Sequence, residues 1–475
     1  MQQAHEMFTH SREAYASALN QHGPVIGVWR KGRLEYIVNE EYTNDVLSRD
    51  HEFSFEKGVA TILNGSFLMS LTNGNFFKDM HMIISGGVIP RVDEIVDQIF
   101  PIFQRHAKKL VDDSQQSRTG VDLFTHTRRC IAEGMLVVAF GEACLFPEAL
   151  APTNTAKEVA DAVATLTGIY QNTSYFARTF PRTWKTITWV NVVSKIIIFK
   201  YFLMALPIIW REVRGRKYRP LNSTTLEQDE ENHSETLVHY AARMCANAQG
   251  TVPILSRIWL SIAMLMFVFA SVHQTAAVAV WVMYELAVRR EYIPAIREEL
   301  LIISDSIDSS GVHRLSYEAL RRATVLDSFI REVLRLKGDT IGVMRGTTND
   351  VKLGGYTIPK GVLVCPLSTL TNESRNIYGD DAAKFNPGRW DDGPAASTVT
   401  PGYLAFGFGR WACPGRVLAI AEIKMIVLTL IAMSMPEMEG GKYTVVDPLN
   451  VTSVPPVGRL ILRSWTEFGK GRQEE

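Results

Sequence analysis

The segment FGFGRWACPG, residues 406–415, decides the fold of this chain. It places one cysteine, Cys413, in a glycine-rich turn, with Phe406 seven positions earlier. The apolar run VLAIAEIKMIVLTLIAM follows and predicts a helix directly after the turn. Glycines let backbone N–H groups turn toward a thiolate, a helix N-terminus adds partial positive charge, and an aromatic side chain excludes water. The segment therefore predicts a cysteine that ligates a metal.

The alternative is an ordinary buried cysteine in a turn, which is the usual environment of a free cysteine. The joint spacing of Phe406, Gly409, Cys413 and Gly415 argues against it, because so specific a pattern rarely arises by chance in a chain of this composition. Backbone donors, a helix dipole and an aromatic wall are the devices that tune a haem iron ligated by cysteine.

Composition narrows the class of protein. A chain of 475 residues with 46% hydrophobic content can bury one very large core or two domains. Lysine plus arginine equals aspartate plus glutamate at 50 each, so a nucleic-acid partner is not expected. The chain has an odd number of cysteines, and no two of them form a CxxC pair. This indicates reduced thiols in a protein that faces the cytosol. The cysteines are Cys130, Cys144, Cys245, Cys365 and Cys413.

Apolar segments raise the question of a membrane. The N-terminus is polar and amphipathic, so we expect neither a secretory signal nor an anchor within this chain. Residues 258–284 carry no formal charge except a possible one on His273, and hydropathy alone makes them a transmembrane candidate. Residues 187–210 are interrupted by Lys195 and Lys200, and they suit an interfacial element better than a span.

The first half of the chain predicts short mixed structure followed by helices. Residues 24–39 alternate like a β-hairpin, and residues 41–50 predict a helix. A long loop to about Met80 and a helical region over residues 92–140 follow. Residues 220–236 are polar and predict a flexible surface loop.

The second half predicts three helices and then strands. The helices cover the apolar segment through His273, residues 292–304, and residues 316–338, the last ending at Gly338. Residues 351–364 predict a hairpin. We therefore expect one mainly α domain with a minor β part over residues 1–475.

Charged residues near the cysteine form a second pattern. Glu332 and Arg335 stand three apart, so they share a helix face and can pair, although such a pair is common on exposed helices. The segment KFNPGRW supplies Arg389 in a proline turn, and a guanidinium there can complete a Glu–Arg–Arg network.

The motifs ExxR, FxPxR and the cysteine loop follow one another in the order and at the intervals of a known family. Together they resemble the C-terminal half of a cytochrome P450, a haem-thiolate monooxygenase, from about Phe267 to the end of the helix after Cys413. The wording of DSFIREVLRL, FASVH and FGFGR is similar to that of filamentous-fungal members that tailor secondary metabolites.

This resemblance implies roles for single residues. Cys413 would ligate the iron of haem b, Phe406 would shield the sulfur, and Gly415 completes the loop. Arg345 matches the arginine that holds a haem propionate. The apolar segment 258–284 would cross the distal haem face, buried in protein rather than in lipid. The residues of the Glu–Arg–Arg network, Glu332, Arg335 and Arg389, would be structural.

Two departures concern the haem propionates. Trp411 occupies the loop position that is normally basic, with Arg410 beside it, and a tryptophan cannot neutralise a carboxylate. The segment FKDMHMIISGG also lacks the expected basic residue, and His81 is the nearest substitute. Propionate binding would then depend on Arg345, with Arg410 or His81. The alternative for His81 is a plain surface histidine.

A third departure concerns proton delivery. The family usually carries an acid and then a threonine on the distal helix, whereas this chain has His273 and Gln274, with Thr275 one step later. One step rotates a side chain by about 100°, so Thr275 should point away from the usual hydroxyl position. Histidine suits proton shuttling, but a histidine satisfied by a backbone carbonyl is an equal alternative.

The resemblance implies oxidation of an apolar, natural-product-like molecule with electrons from a separate NADPH-cytochrome P450 reductase. It also implies the endoplasmic reticulum membrane, on its cytosolic face. Radical coupling, rearrangement or dehydration is the alternative within the fold. A haem carrier without turnover and an integral membrane protein are the alternatives outside it.

Overall fold

Helices dominate the structure, a computed structural model that describes residues 11–30, 33–62, 75–117, 119–141, 179–191, 203–219, 235–307, 313–337, 343–445 and 455–465. The helices are α1 Ser11–His22, α2 Thr43–Ser48, α3 Phe55–Ile62, α4 Phe76–Gly87, α5 Val92–Ser117, α6 Leu123–Phe140, α7 Pro181–Val190, α8 Leu203–Val213, α9 Leu237–Cys245, α10 Ile254–Val288, α11 Ile293–Ile303, α12 Tyr317–Arg322, α13 Thr324–Leu336, α14 Ser368–Asn372, α15 Arg375–Tyr378 and α16 Arg416–Met433.

Short strands and 3-10 turns complete the fold. The strands are β1 Val25–Arg30, β2 Arg33–Val38, β3 Phe53–Ser54, β4 Ser306–Ile307, β5 His313–Arg314, β6 Arg345–Thr347, β7 Val351–Leu353, β8 Tyr356–Ile358, β9 Leu363–Pro366, β10 Met435–Met438 and β11 Leu460–Arg463. The 3-10 helices are Glu40–Tyr42, Ile89–Arg91, Arg290–Tyr292, Pro387–Trp390, Gly409–Trp411 and Glu439–Gly441. The expected mainly α class with a minor β part is confirmed.

Helix α10 is the centre of the helical core. It packs against α6, α13 and α16, and every residue from 276 to 287 is buried. Within the described ranges it is the helix that is long and apolar enough to cross a membrane. Since its second half is enclosed by neighbouring helices, that half is apolar because it lies in the protein core.

The largest sheet has five strands in the order β1-β2-β9-β6-β3. The predicted hairpin of residues 24–39 is present, with Val25 paired to Val38. The predicted hairpin of residues 351–364 is only partly correct. Strands β7 and β8 pair with each other, but β9 leaves them to pair in parallel with β2 and antiparallel with β6. Local turn signals cannot report this pairing, because β2 is distant in sequence.

The prediction of a long loop up to about Met80 is wrong at both ends of that segment. Helix α3 occupies residues 55–62, and α4 begins at Phe76; residues 63–74 lie outside the described residues. Gly58 weakens the local helix signal. A Cβ on Gly58 would lie 3.1 Å from the Arg345 Cα and 3.1 Å from the Gly346 nitrogen, so α3 rests directly on the β6 backbone.

The single helix expected over residues 316–338 is also wrong. It divides at Ala323 into α12 and α13, and the Glu299 carboxylate caps the second helix. Its oxygens accept hydrogen bonds from the backbone N–H groups of Val325 at 2.7 Å and Leu326 at 3.1 Å. These donors have no partner inside the helix, so a cap from a distant helix sets where α13 begins. Gly338 lies outside the described residues.

Two expected surface segments are only partly described. Residues 220–234 of the polar loop and residues 192–202 of the interfacial element lie outside the described residues. On α7, Ile187 and Val190 are exposed. The interfacial element and the flexible loop both stay predictions.

Substituting Gly58 by valine tests the contact between α3 and β6. We expect the free energy of unfolding to fall by about 1–3 kcal/mol, because the new Cβ meets backbone atoms that cannot rotate away. Urea denaturation measures this change. The control is Gly27→Val on β1, where the nearest atom to an added Cβ is Leu34 Cδ1 at 3.5 Å. Equal stability of the two variants would show that α3 does not rest on β6.

Candidate functional site

The Cys413 loop is closed by its own backbone. The Cys413 N–H donates to the Phe406 carbonyl at 2.8 Å, and a 3-10 turn, Gly409–Trp411, lies between these two residues. Gly409 adopts a φ of 72°, and a Cβ there would lie 3.0 Å from the Leu47 carbonyl oxygen. This position thus requires glycine both for its backbone angle and for its close contact with α2.

Cys413 is an exposed residue whose thiol is nevertheless surrounded by many protein atoms, and this burial raises the pKa of the thiol. Backbone hydrogen bonds from Gly415 and Arg416 and the Arg416 charge act in the opposite direction and lower the pKa. The donors that stabilise a thiolate are therefore in place.

Arg345 is a buried cation that lacks a full set of partners. Arg345 is the first residue of β6 and is 2% exposed. Its Nη1 group donates a hydrogen bond to the Met344 carbonyl at 3.0 Å. Its Nε has no hydrogen-bond partner among the described residues. Burial lowers the pKa of Arg345 to about 10, while the Asp50 charge works against this shift. A guanidinium held in this way favours an added anion.

Aromatic rings connect Arg345 to the cysteine loop. The guanidinium lies 5.3 Å from the centre of the Phe55 ring, and Phe55 stacks on Trp411 at 5.1 Å with an interplanar angle of 16°. His81 of α4 meets Trp411 edge to face at 6.4 Å. Burial lowers the pKa of His81, and the charges of Arg410 and Arg416 lower it further. Arg345, His81, Trp411 and Arg410 thus belong to one neighbourhood beside Cys413.

The three distal-helix candidates face different surroundings on α10. His273 is half-buried, with its ring edge to face against Phe124 of α6 at 5.6 Å. Gln274 is exposed, whereas Thr275 is buried at 6% exposure. Thr275 is therefore not part of the exposed surface that Gln274 presents, and a rotation of about 100° per residue accounts for the difference.

The Glu–Arg–Arg network is assembled around one buried carboxylate. Glu332 Oε1 lies 2.6 Å from Arg335 Nη2 and 3.5 Å from Arg389 Nε, and Glu332 Oε2 accepts from Arg335 Nε at 2.8 Å. The Arg335 Nη1 group donates to the carbonyls of Asn372 and Ala382. Because Glu332 and Arg335 are fully buried, this geometry fixes α13 against the segment that leads to the cysteine loop.

Sequence reasoning missed two members of this network. Trp390 donates its indole N–H to Glu332 Oε2 at 2.9 Å, and Asp381 binds the Arg389 guanidinium through both oxygens at 3.2 and 3.1 Å. Those hydrogen bonds lower the pKa of the Asp381 carboxyl. Trp390 follows Arg389 directly in the motif and was therefore detectable. Asp381 has no spacing signal, since it depends on the fold of an irregular loop.

Replacing Glu332 by glutamine should cost about 3–5 kcal/mol of unfolding free energy, because Arg335 is left as a buried cation without its counter-ion. A urea titration followed by circular dichroism measures it. Glu318→Gln is the matched control, since Glu318 pairs with Arg321 at 3.1 Å on an exposed helix and should change stability by less than about 1 kcal/mol. A loss at Glu332 as small as that of the control would contradict a structural role.

Parts of this sequence are similar to known proteins. An 11-oxo-beta-amyrin 30-oxidase of Glycyrrhiza uralensis is 31% identical over 42% of this chain and 36% of its own length. Secologanin synthase 1 of Catharanthus roseus is 32% identical over 34% and 30%, and cytochrome P450 monooxygenase 151 of Postia placenta is 32% identical over 34% of each chain. The matched segments thus span about a third of these relatives. A sequence model described as cytochrome P450 matches residues 2–433, and the chain belongs to that family.

Proposed function

We propose that this protein is a haem-thiolate monooxygenase that oxidises an apolar, natural-product-like molecule. It uses O2 and electrons from a separate NADPH-dependent reductase. The observation that carries the proposal is Cys413, an exposed residue whose thiol receives backbone hydrogen bonds from Gly415 and Arg416. Family membership supports haem as the cofactor.

The residues present fit haem b. Cys413 would hold the iron, and the unsatisfied Nε of the buried Arg345 suits a propionate carboxylate. His81 and Arg410 flank Trp411 and would serve the propionate side as weaker partners. When bound, the haem supplies oxygen activation and abstraction of hydrogen from a C–H bond.

The protein groups control the sulfur and the proton supply. The amides of Gly415 and Arg416 withdraw charge from the thiolate, and Phe406 closes the loop through its carbonyl. Its ring would shield the sulfur from water. On α10, the exposed Gln274 amide orients water, and the half-buried His273 imidazole exchanges protons with it. In this assignment His273 takes the place of the acid, and Gln274 the place of the threonine, that the family usually carries on the distal helix.

The substrate class rests on the relatives together with the apolar character of α10. One relative is named as an oxidase of 11-oxo-beta-amyrin, and another as a secologanin synthase. For this chain we propose an apolar small molecule of natural-product type, as in fungal secondary metabolism.

The partner and the location follow the same proposal. Arg410 is exposed beside the cysteine loop, and Arg416 donates to the Cys413 carbonyl at 2.9 Å, so both bring positive charge to the side where a reductase would dock. The exposed Ile187 and Val190 on α7 would face the endoplasmic reticulum membrane on its cytosolic side.

A second reaction class is favoured by the distal helix. Because Gln274 is exposed and the Thr275 hydroxyl is buried, the usual alcohol is missing from the surface that would face the substrate. Radical coupling, rearrangement or dehydration would tolerate that change better than oxygen insertion. Rearrangement and dehydration would also proceed without external electrons.

The proposal is tested with purified protein loaded with haem. Reduction under carbon monoxide should give the spectrum of thiolate ligation, and Cys413→Ser should abolish that spectrum while haem content is checked separately. A panel of terpenoid, polyketide and indole compounds should then identify a ligand by its effect on the ferric spectrum. Wild-type protein with the carbon monoxide spectrum of imidazole ligation would refute the proposal.

Turnover separates the two reaction classes. With the ligand found in the panel, product should require both reductase and NADPH. Product formed without them would replace monooxygenation by rearrangement or dehydration. If the ligand stimulated no NADPH consumption and gave no product, the protein would be a carrier or sensor instead.

Arg345→Met should separate cofactor retention from chain stability. A buried guanidinium without an ion pair in the described part of the chain costs the haem-free protein on the order of 3 kcal/mol, since its pKa falls from its ordinary 12.5 to about 10. We expect the haem-free variant to be at least as stable as wild type, and its haem dissociation to be at least tenfold faster.

Urea denaturation and transfer of haem to apomyoglobin measure these two quantities. Lys352→Met, at an exposed position of β7, is the control and should change neither. If Arg345→Met lost haem no faster than Lys352→Met, the propionate assignment would be wrong.

A further inference from the structure

A buried ion pair links the helix after the cysteine loop to α13. Lys424 Nζ lies 2.6 Å from Asp327 Oδ1, with the two side chains 5% and 13% exposed. The same ammonium donates to the Leu320 carbonyl at 3.0 Å. Lys424 belongs to α16, which begins at Arg416, so the pair ties the chain that leaves the Cys413 turn to a fixed helix.

The second oxygen of Asp327 holds the chain that enters the turn. Asp327 Oδ2 accepts the Ala396 N–H at 2.6 Å, and this bond is buried. One carboxylate therefore contacts both the segment before the cysteine loop and the helix after it. Both bonds are short, since a carboxylate paired with an ammonium accepts stronger hydrogen bonds than a neutral group does.

Arg331, one helical turn further along α13, holds the same entering segment. Its Nη1 donates to the carbonyls of Ala395 at 2.6 Å and Thr398 at 2.9 Å. The guanidinium lies 3.8 Å from the centre of the Tyr403 ring and 4.5 Å from that of Trp390. Arg331 is 1% exposed, so its guanidinium is surrounded by these rings and carbonyls and not by water.

We propose that Asp327, Lys424 and Arg331 form a second charged network whose role is to position the Cys413 sulfur. The Glu332 network holds the chain up to Trp390, whereas this one holds residues 395–403 and the helix after the loop. The inference rests on the proposed function, since it takes Cys413 as the iron ligand. We assign all three residues a positioning role, since their described hydrogen bonds reach the backbone of Leu320, Ala395, Ala396 and Thr398.

Stability alone does not account for such a pair. Buried ion pairs often contribute no more to stability than well-packed apolar residues would, but they require one specific geometry. The Asp327–Lys424 pair also borders a cavity of about 270 Å3, which Ser328 and Trp390 help to line. Water in that cavity can solvate a charge left alone, so single variants of the pair should fold.

The experiment compares four haem-loaded proteins with wild type: Lys424→Met, Asp327→Asn, the double variant, and Lys424→Arg. The readout is the fraction of the reduced carbon monoxide complex that retains thiolate ligation, recorded well below each melting temperature. Lys424→Met should raise the fraction without thiolate at least threefold, and Lys424→Arg should restore it. In the double variant, the effect should be smaller than the product of the two single effects.

Arg321→Met, which breaks the exposed pair with Glu318 on α12, is the matched control and should resemble wild type. Full thiolate ligation in Lys424→Met, even with a lower melting temperature, would overturn the inference and leave a purely structural pair. An equal loss in Arg321→Met would also overturn it. Wild-type protein without the thiolate spectrum would instead refute the proposed function.

Discussion

The segment that leads to the cysteine loop depends on the Glu332 carboxylate for its position. This carboxylate accepts hydrogen bonds from two arginines, one indole and one backbone amide, and it is fully buried. A charge of this kind is tolerated only when every lone pair has a donor, so each partner must occupy its own place. Helix α13 therefore serves as a rigid reference against which the segment leading to Cys413 is folded.

The same helix carries two sets of ionic contacts with different directions. Glu332 and Arg335 face the residues around Asn372 and Ala382, while Asp327 and Arg331 face residues 395–403. Polar contacts from residues spaced along α13 thus hold a long irregular segment in place, where regular secondary structure would otherwise do so. The thiol can then sit in a loop and still keep one position relative to the helical core.

The sequence was most informative where the chemistry is local. Cys413 with its glycines, and Glu332 with Arg335, are each defined by spacing within one turn or one helix. In the structure the Cys413 N–H donates to the Phe406 carbonyl, and Glu332 pairs with Arg335. Contacts between distant segments left no such signal. Lys424 on α16 and Asp327 on α13 are distant in sequence and meet only in the folded chain, and β9 joins β2 across most of the chain. The Glu299 cap that divides residues 316–338 was unpredictable for the same reason.

Arg345 has a consequence for how long the protein survives in a cell. Without haem, the chain keeps a desolvated positive charge at the start of β6, and local opening of the structure there is favoured. Proteases and chaperones act on such openings. With haem bound as proposed, the amount of this protein would follow the supply of porphyrin, so that chains made in excess of the cofactor are degraded first.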